Sequence, residues 1–145
     1  MSEHPPARTI DIGLLIVRLG IGLMFVGAFG LPKLMAGPER WEGLGGAVGA
    51  LGLPVVVPKF LGLLAALAEF LGGIILATGL LFRFGAAMIL AVMIVATATK
   101  ISEFGLALDT FGGEVGYPLV IAILMVGLLF TGPGRLAIPA GRRRP

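Results

Sequence analysis

The stretch Leu63–Leu81, LLAALAEFLGGIILATGLL, decides the fold. It is 19 residues of almost unbroken apolar character, close to the ~20 that an α-helix needs to cross a bilayer. One carboxylate, Glu69, sits near its middle. On a helix its neighbours at minus seven, minus four, minus three, plus three and plus four are Gly62, Ala65, Ala66, Gly72 and Gly73. The acid therefore lies on a strip with almost no side-chain bulk, against which another helix can come close. An isolated acid at bilayer depth costs at least ~2.5 kcal/mol, so Glu69 is expected to face protein and to have a partner.

The rest of the chain agrees with a membrane setting. Of its 145 residues 57% are hydrophobic and only 13% are charged, against ~25% charged in soluble domains. Mean hydropathy is +1.05. Such a chain is expected to be one all-α domain in the bilayer, with no nucleic-acid partner. There is no cysteine, and the single histidine, His4, lies in a proline-flanked tail. Disulfides, thiolate relays and histidine-held haem or metal are excluded by that inventory. The six methionines read as packing residues.

Working outward, residues 1–10 read as a cytoplasmic tail. Segment one covers about 11–29. Its rival reading, a signal peptide, is weakened by Asp11 at the start and Arg18 inside the run. A long connector follows, in which Glu39–Leu51 reads either as a surface helix or as a loop that dips in and returns; Trp41 favours headgroup level. Segment two covers about 60–82 and segment three about 84–99. The short link at Arg83 makes them an antiparallel hairpin. Segment four covers about 117–130. Pro118 suits its first turn, and TGPGR (Thr131–Arg135) stops it. The expected architecture is an antiparallel four-transmembrane-helix bundle over 11–135, with a basic tail at 136–145. On the terminal side lie Arg8, Arg83, Arg135 and Arg142 to Arg144. Lys33, Arg40, Lys59 and Lys100 lie on the other, so both termini are expected in the cytoplasm.

Depth suggests a partner for Glu69. Arg18 is about seven residues into segment one, ~10 Å from one face, and Glu69 is ~15 Å from the other at 1.5 Å per residue. In a ~30 Å core those heights differ by only ~5 Å, which an arginine spans. The spacing thus predicts an Arg18–Glu69 pair, serving either as a structural clamp or as a site. The alternative is that Arg18 snorkels towards Asp11. Lys33 closes segment one and is expected to point inward or to anchor at the interface. Lys100 and Glu103 are three apart and suited to pairing on one helix edge. Glu69, Arg18, Lys33 and Lys100 are the candidate ligand or proton-exchange residues. No catalytic triad is present, and the GLGGAVG cluster (residues 43–49) lacks the GK[ST] of a P-loop.

Four blocks resemble the DoxX family of small four-helix membrane proteins: Val17–Leu34, Leu67–Ala86, Val95–Gly105 and Gly116–Arg135. They carry an Arg-Leu-x-x-Gly start with a Gly-x-x-Lys-Leu end, an Ala-Glu-x-x-Gly-Gly block, the end of helix three, and a Gly-Pro-Gly-Arg stop. The family pattern has Arg18, Lys33 and Glu69 at its typical polar positions. This chain departs from it at Phe29 and Lys100, where members often have histidine, and at Leu136–Pro139, where Ser-x-Asp is common. The resemblance implies a multi-pass protein of the bacterial or archaeal cell membrane. Some relatives are the membrane subunit of a thiosulfate:quinone oxidoreductase. The expectation is an oxidoreductase subunit without a covalent cofactor, binding quinone or a small sulfur-containing anion near Glu69, with a soluble or membrane redox partner and scope for homo-oligomers. The alternatives are a membrane scaffold without ligand and a small-solute carrier.

Overall fold

The computed structural model describes residues 7–138, and these are helical throughout apart from short turns and the C-terminal segment; no strand occurs among them. The expected terminal tails, with His4 and Arg142 to Arg144, lie largely outside the described residues.

The first rod is longer than its sequence suggests. Helix α1 (Ala7–Met24) passes without a break into a π-helical turn, Phe25–Gly30, and then into α2 (Leu31–Met35). Pro32 supplies the reason. Its ring has no N–H to give and collides with the carbonyl four residues back, so an α-helix kinks or widens before it. Here the chain widens, and Leu31 N–H donates to Val26 O, five residues back. The rod from Arg8 to Met35 is long enough to span a bilayer, and its most apolar 18-residue window has a mean hydropathy of 2.2.

After Gly37 the connector turns back as α3 (Pro38–Gly46) and a 3₁₀ turn (Ala47–Leu51). Of the two expectations for this stretch, the helix is what forms. It packs on the first half of α4 (Pro58–Thr78). The Trp41 indole N–H donates to Lys33 O at 2.9 Å, which ties α3 to the end of the first rod.

Helix α4 stops four residues before the expected end at 82. Gly79, at φ +77°, takes the left-handed position that closes a helix, and its N–H bonds to Ile75 O. Helix α5 (Phe82–Phe104) starts directly after this turn and runs five residues past the expected 99, to a stop at Gly105. A short α6 (Leu108–Gly112) leads into α7 (Gly116–Thr131), which has Pro118 in its first turn. Among the described residues, three helices are long and apolar enough to cross a membrane: the first rod, α4 and α5. At 16 residues α7 is ~24 Å long, short of a ~30 Å core. The chain is an all-helical, multi-pass membrane protein in contact with the lipid bilayer.

Helix α4 is the hub, packing against α1, α3 and α5, while α7 packs on α5. Phe25, Leu76, Phe82, Ile89, Met93, Ile121, Met125 and Leu128 meet in the middle. The crossing of α1 and α4 is set by two glycines. A Cβ at Gly22 would come within 2.6 Å of Gly73 O, and one at Gly73 within 2.7 Å of Gly22 O. Only a residue without a side chain lets the two backbones touch there.

Candidate functional site

Register along α1 and α4 locates the charged groups. Arg18 lies against Gly79, Gly22 against Gly73 and Ala77, and Gly30 against Phe70. Glu69 is ten residues of α4 away from Gly79, or ~15 Å along the axis. The predicted Arg18–Glu69 pair therefore does not form. The depth argument set both helices flush with the same two faces. In the structure α4 ends early and the first rod runs late, and the difference places Lys33 at Glu69 instead.

Lys33 sits three residues beyond Gly30, ~4.5 Å further along the rod, and its stem leans back over Glu69. Its Nζ donates to Glu69 Oε1 and Oε2, both at 2.6 Å. Glu69 is 1% exposed and Lys33 23%. The ammonium also stands 6.0 Å from the centre of the Phe29 ring. Phe29 in turn touches the ring of Tyr117, with centroids 5.4 Å apart. The strip of small residues around Glu69 explains how so short a pair fits beside a helix.

Arg18 is buried to 2% exposure at the opposite end of the bundle. Its Nη1 donates to Pro133 O at 3.1 Å and its Nη2 to Leu136 O. Both acceptors belong to the segment after α7, which crosses the ends of the helices as a strap. Arg135 N–H donates to Asp11 Oδ1 at 2.8 Å, and Ile138 N–H to Thr78 O at 3.1 Å. Helices α4 and α7 both end nearby, so the guanidinium faces the negative ends of two helix dipoles. Its Nε has no hydrogen-bond partner among the described residues.

A cavity of about 850 Å³ opens beside the Lys33–Glu69 pair. Its walls are mainly apolar, with Ala65 and Ala68 from α4 and Met88, Ala91 and Val95 from α5. The polar side chains that line it are Lys33, Glu69, Lys100, Glu114 and Tyr117. Lys100 pairs with Glu103 at 3.2 Å, in the expected three-residue spacing, and with Glu114 at 3.5 Å. It also lies 5.1 Å from the Phe104 ring centre. The structure thus brings Glu69, Lys33 and Lys100 to one cavity and leaves Arg18 outside it. Glu114 and Tyr117 were not singled out from the sequence. The signal available was that Tyr117 is the only tyrosine, placed in the first turn of an apolar helix.

The arrangement offers an ammonium donor, a carboxylate and a phenol at one end of an apolar chamber. Such a chamber suits a molecule with a small polar head and an apolar remainder. No group of three or more metal-ligating side chains comes together among the described residues. Compared with known families, the chain matches the DoxX model over residues 13–102. That span holds Arg18, Lys33, Glu69 and Lys100, whereas Tyr117 and the strap lie beyond it. Neither a curated protein nor a solved structure matches the chain.

Proposed function

This chain belongs to the DoxX family, and on that premise we propose that it is a membrane subunit of an oxidoreductase system, binding a quinone head group beside Glu69. One observation carries the reading: a buried carboxylate paired with a half-buried ammonium forms the polar end of an apolar cavity of about 850 Å³.

Charge separates quinone from a small sulfur-containing anion. The charge of Lys33 is cancelled by Glu69, and that of Lys100 is answered by Glu103 and Glu114. An anion entering the chamber would lose its water and meet no net positive charge. A quinone is neutral, has carbonyl acceptors on its head and carries an apolar tail, so the cavity fits it. A bound quinone supplies two-electron, two-proton chemistry. The residues of this chain bind and orient it. Lys33 Nζ donates to a head-group oxygen, Glu69 holds that ammonium in place and offers a carboxylate for proton exchange, and the α4 and α5 walls keep water out. Electrons come from a partner oxidoreductase, soluble or membrane-bound. In this reading the protein sits in a bacterial or archaeal cell membrane with α7, though shorter than the core, as a fourth crossing, which puts both termini in the cytoplasm as the arginines of the terminal side favour.

The test uses the native reporter. Trp41 is the only tryptophan and is hydrogen-bonded to the backbone of Lys33. Purified protein in nanodiscs is titrated with a short-tailed benzoquinone, read by quenching of Trp41. Saturable quenching is expected in the wild type. Ala68→Phe, which fills the cavity wall, should abolish it. Identical curves for the two proteins, or no saturation in either, defeat the reading. The scaffold alternative is favoured by the Gly22–Gly73 crossing, which serves packing alone. It predicts that Ala68→Phe alters stability and nothing else.

A further inference from the structure

Among the polar side chains that line the cavity, Tyr117 is the only uncharged one. The other four, Lys33, Glu69, Lys100 and Glu114, are engaged in ion pairs. Tyr117 makes no side-chain hydrogen bond to the described residues, and it is 41% exposed. Its ring rests on Phe29, at 5.4 Å between centroids and 30° between planes. Lys33 Nζ lies 6.0 Å from the centre of that same ring. Phe29 itself lines the cavity. Two donors of different kinds therefore flank one aromatic surface: an ammonium already shared with a carboxylate, and a phenol with its proton free to give.

We propose that Tyr117 is the head-group recognition residue, its hydroxyl donating to a quinone carbonyl while Phe29 supports the flat ring. The proposal rests on the quinone reading above. It adds that affinity for the oxygenated head comes from Tyr117 rather than from the ion pair alone. Each neutral donor–carbonyl bond contributes a modest net free energy in proteins, equivalent to about threefold to tenfold in affinity. Contact with Phe29 holds the phenol ring in place. Pro118 is buried at the start of α7, next to Tyr117 in the chain.

The experiment compares wild type with Tyr117→Phe, which keeps the ring and its contact with Phe29. Each is titrated in nanodiscs with a short-tailed benzoquinone and with an alkylbenzene of the same tail and no carbonyl. Infrared difference spectra of the carbonyl-labelled quinone are recorded on both. The expected result is about threefold to tenfold weaker quinone binding in Tyr117→Phe, unchanged alkylbenzene binding, and loss of the downshift of one carbonyl band. Equal affinities with the same carbonyl band in both proteins overturn the role of Tyr117 and leave the quinone reading standing. A wild-type carbonyl band with no downshift overturns it as well, whatever the variant does. If the wild type does not bind the quinone and behaves like Ala68→Phe, the functional reading falls and takes this proposal with it.

Discussion

Arg18 and Glu69 are both buried charges near the α1–α4 seam, yet they are answered in opposite ways. Arg18 is held by backbone carbonyls of the strap and by the ends of two helices, none of which can leave without unfolding that end. Glu69 is held by one flexible side chain that also borders a cavity. The first arrangement fixes geometry. The second uses two of the three N–H groups of the ammonium and leaves the third for a ligand while the pair stays made. The same two helices thus carry a fastening at one end and a pair with a donor to spare at the other.

The sharpest way to break this comparison is at Lys33. Replacing it by Met leaves a buried carboxylate alone and is expected to cost about 3–5 kcal/mol in reversible unfolding in mild detergent. Adding Glu69→Gln to Lys33→Met should recover most of that loss. A double-mutant cycle between Arg18 and Glu69 should instead be additive within about 0.5 kcal/mol, since the two groups share no partner. Strong coupling between them would restore the pairing that the register excludes.

A smaller effect is expected midway. Gly73→Ala puts a methyl group against Gly22 O and forces α1 from α4, at about 1–3 kcal/mol. A variant as stable as wild type would show that the crossing is looser than the structure has it. Smaller again is Arg18→Met, which forfeits two donors to carbonyls near the end of the bundle, at about 1–2 kcal/mol. Limited proteolysis beyond Thr131 should accelerate while the Trp41 titration with quinone stays unchanged. A shifted titration would mean that the two ends communicate. The least change is expected at Lys100→Gln. Its pairs with Glu103 and Glu114 are solvent-facing, so stability should move by no more than about 1 kcal/mol.

Much of this was legible in the sequence. The apolar runs announce an all-helical membrane protein, and Glu69 stands out as an acid that must have a partner. Lys100 and Glu103 declare their pairing by spacing alone. The partner of Glu69 was misread because it depends on how far one helix slides past another. That slide is set by the contact of Gly22 with Gly73 and by the strap, which are long-range and leave no local pattern. The sequence Thr131–Arg135 reads as a helix stop, but not as a source of carbonyls for Arg18, since a backbone acceptor has no residue letter. Tyr117 passed unnoticed because a tyrosine at the edge of an apolar segment resembles an interfacial anchor.

The wide turn at Phe25–Gly30 has a bearing on Lys33 that reaches beyond local geometry. A π-type turn holds one residue more than the α-helix around it needs, and one residue is worth ~100° of rotation. The turn thus acts as a phase shifter in the first rod. Upstream of it, Gly22 keeps its face against α4; downstream, Lys33 is dialled round to reach the acid. Deleting Gly27 would return the rod to a plain helix with both the Gly22 seam and Lys33 still facing α4, because the turn absorbs one extra residue; a rod that kept every residue in α geometry would swing Lys33 off Glu69. One further residue in this turn, with nothing to absorb it, would turn Lys33 by ~100° away from Glu69 and so disable the site.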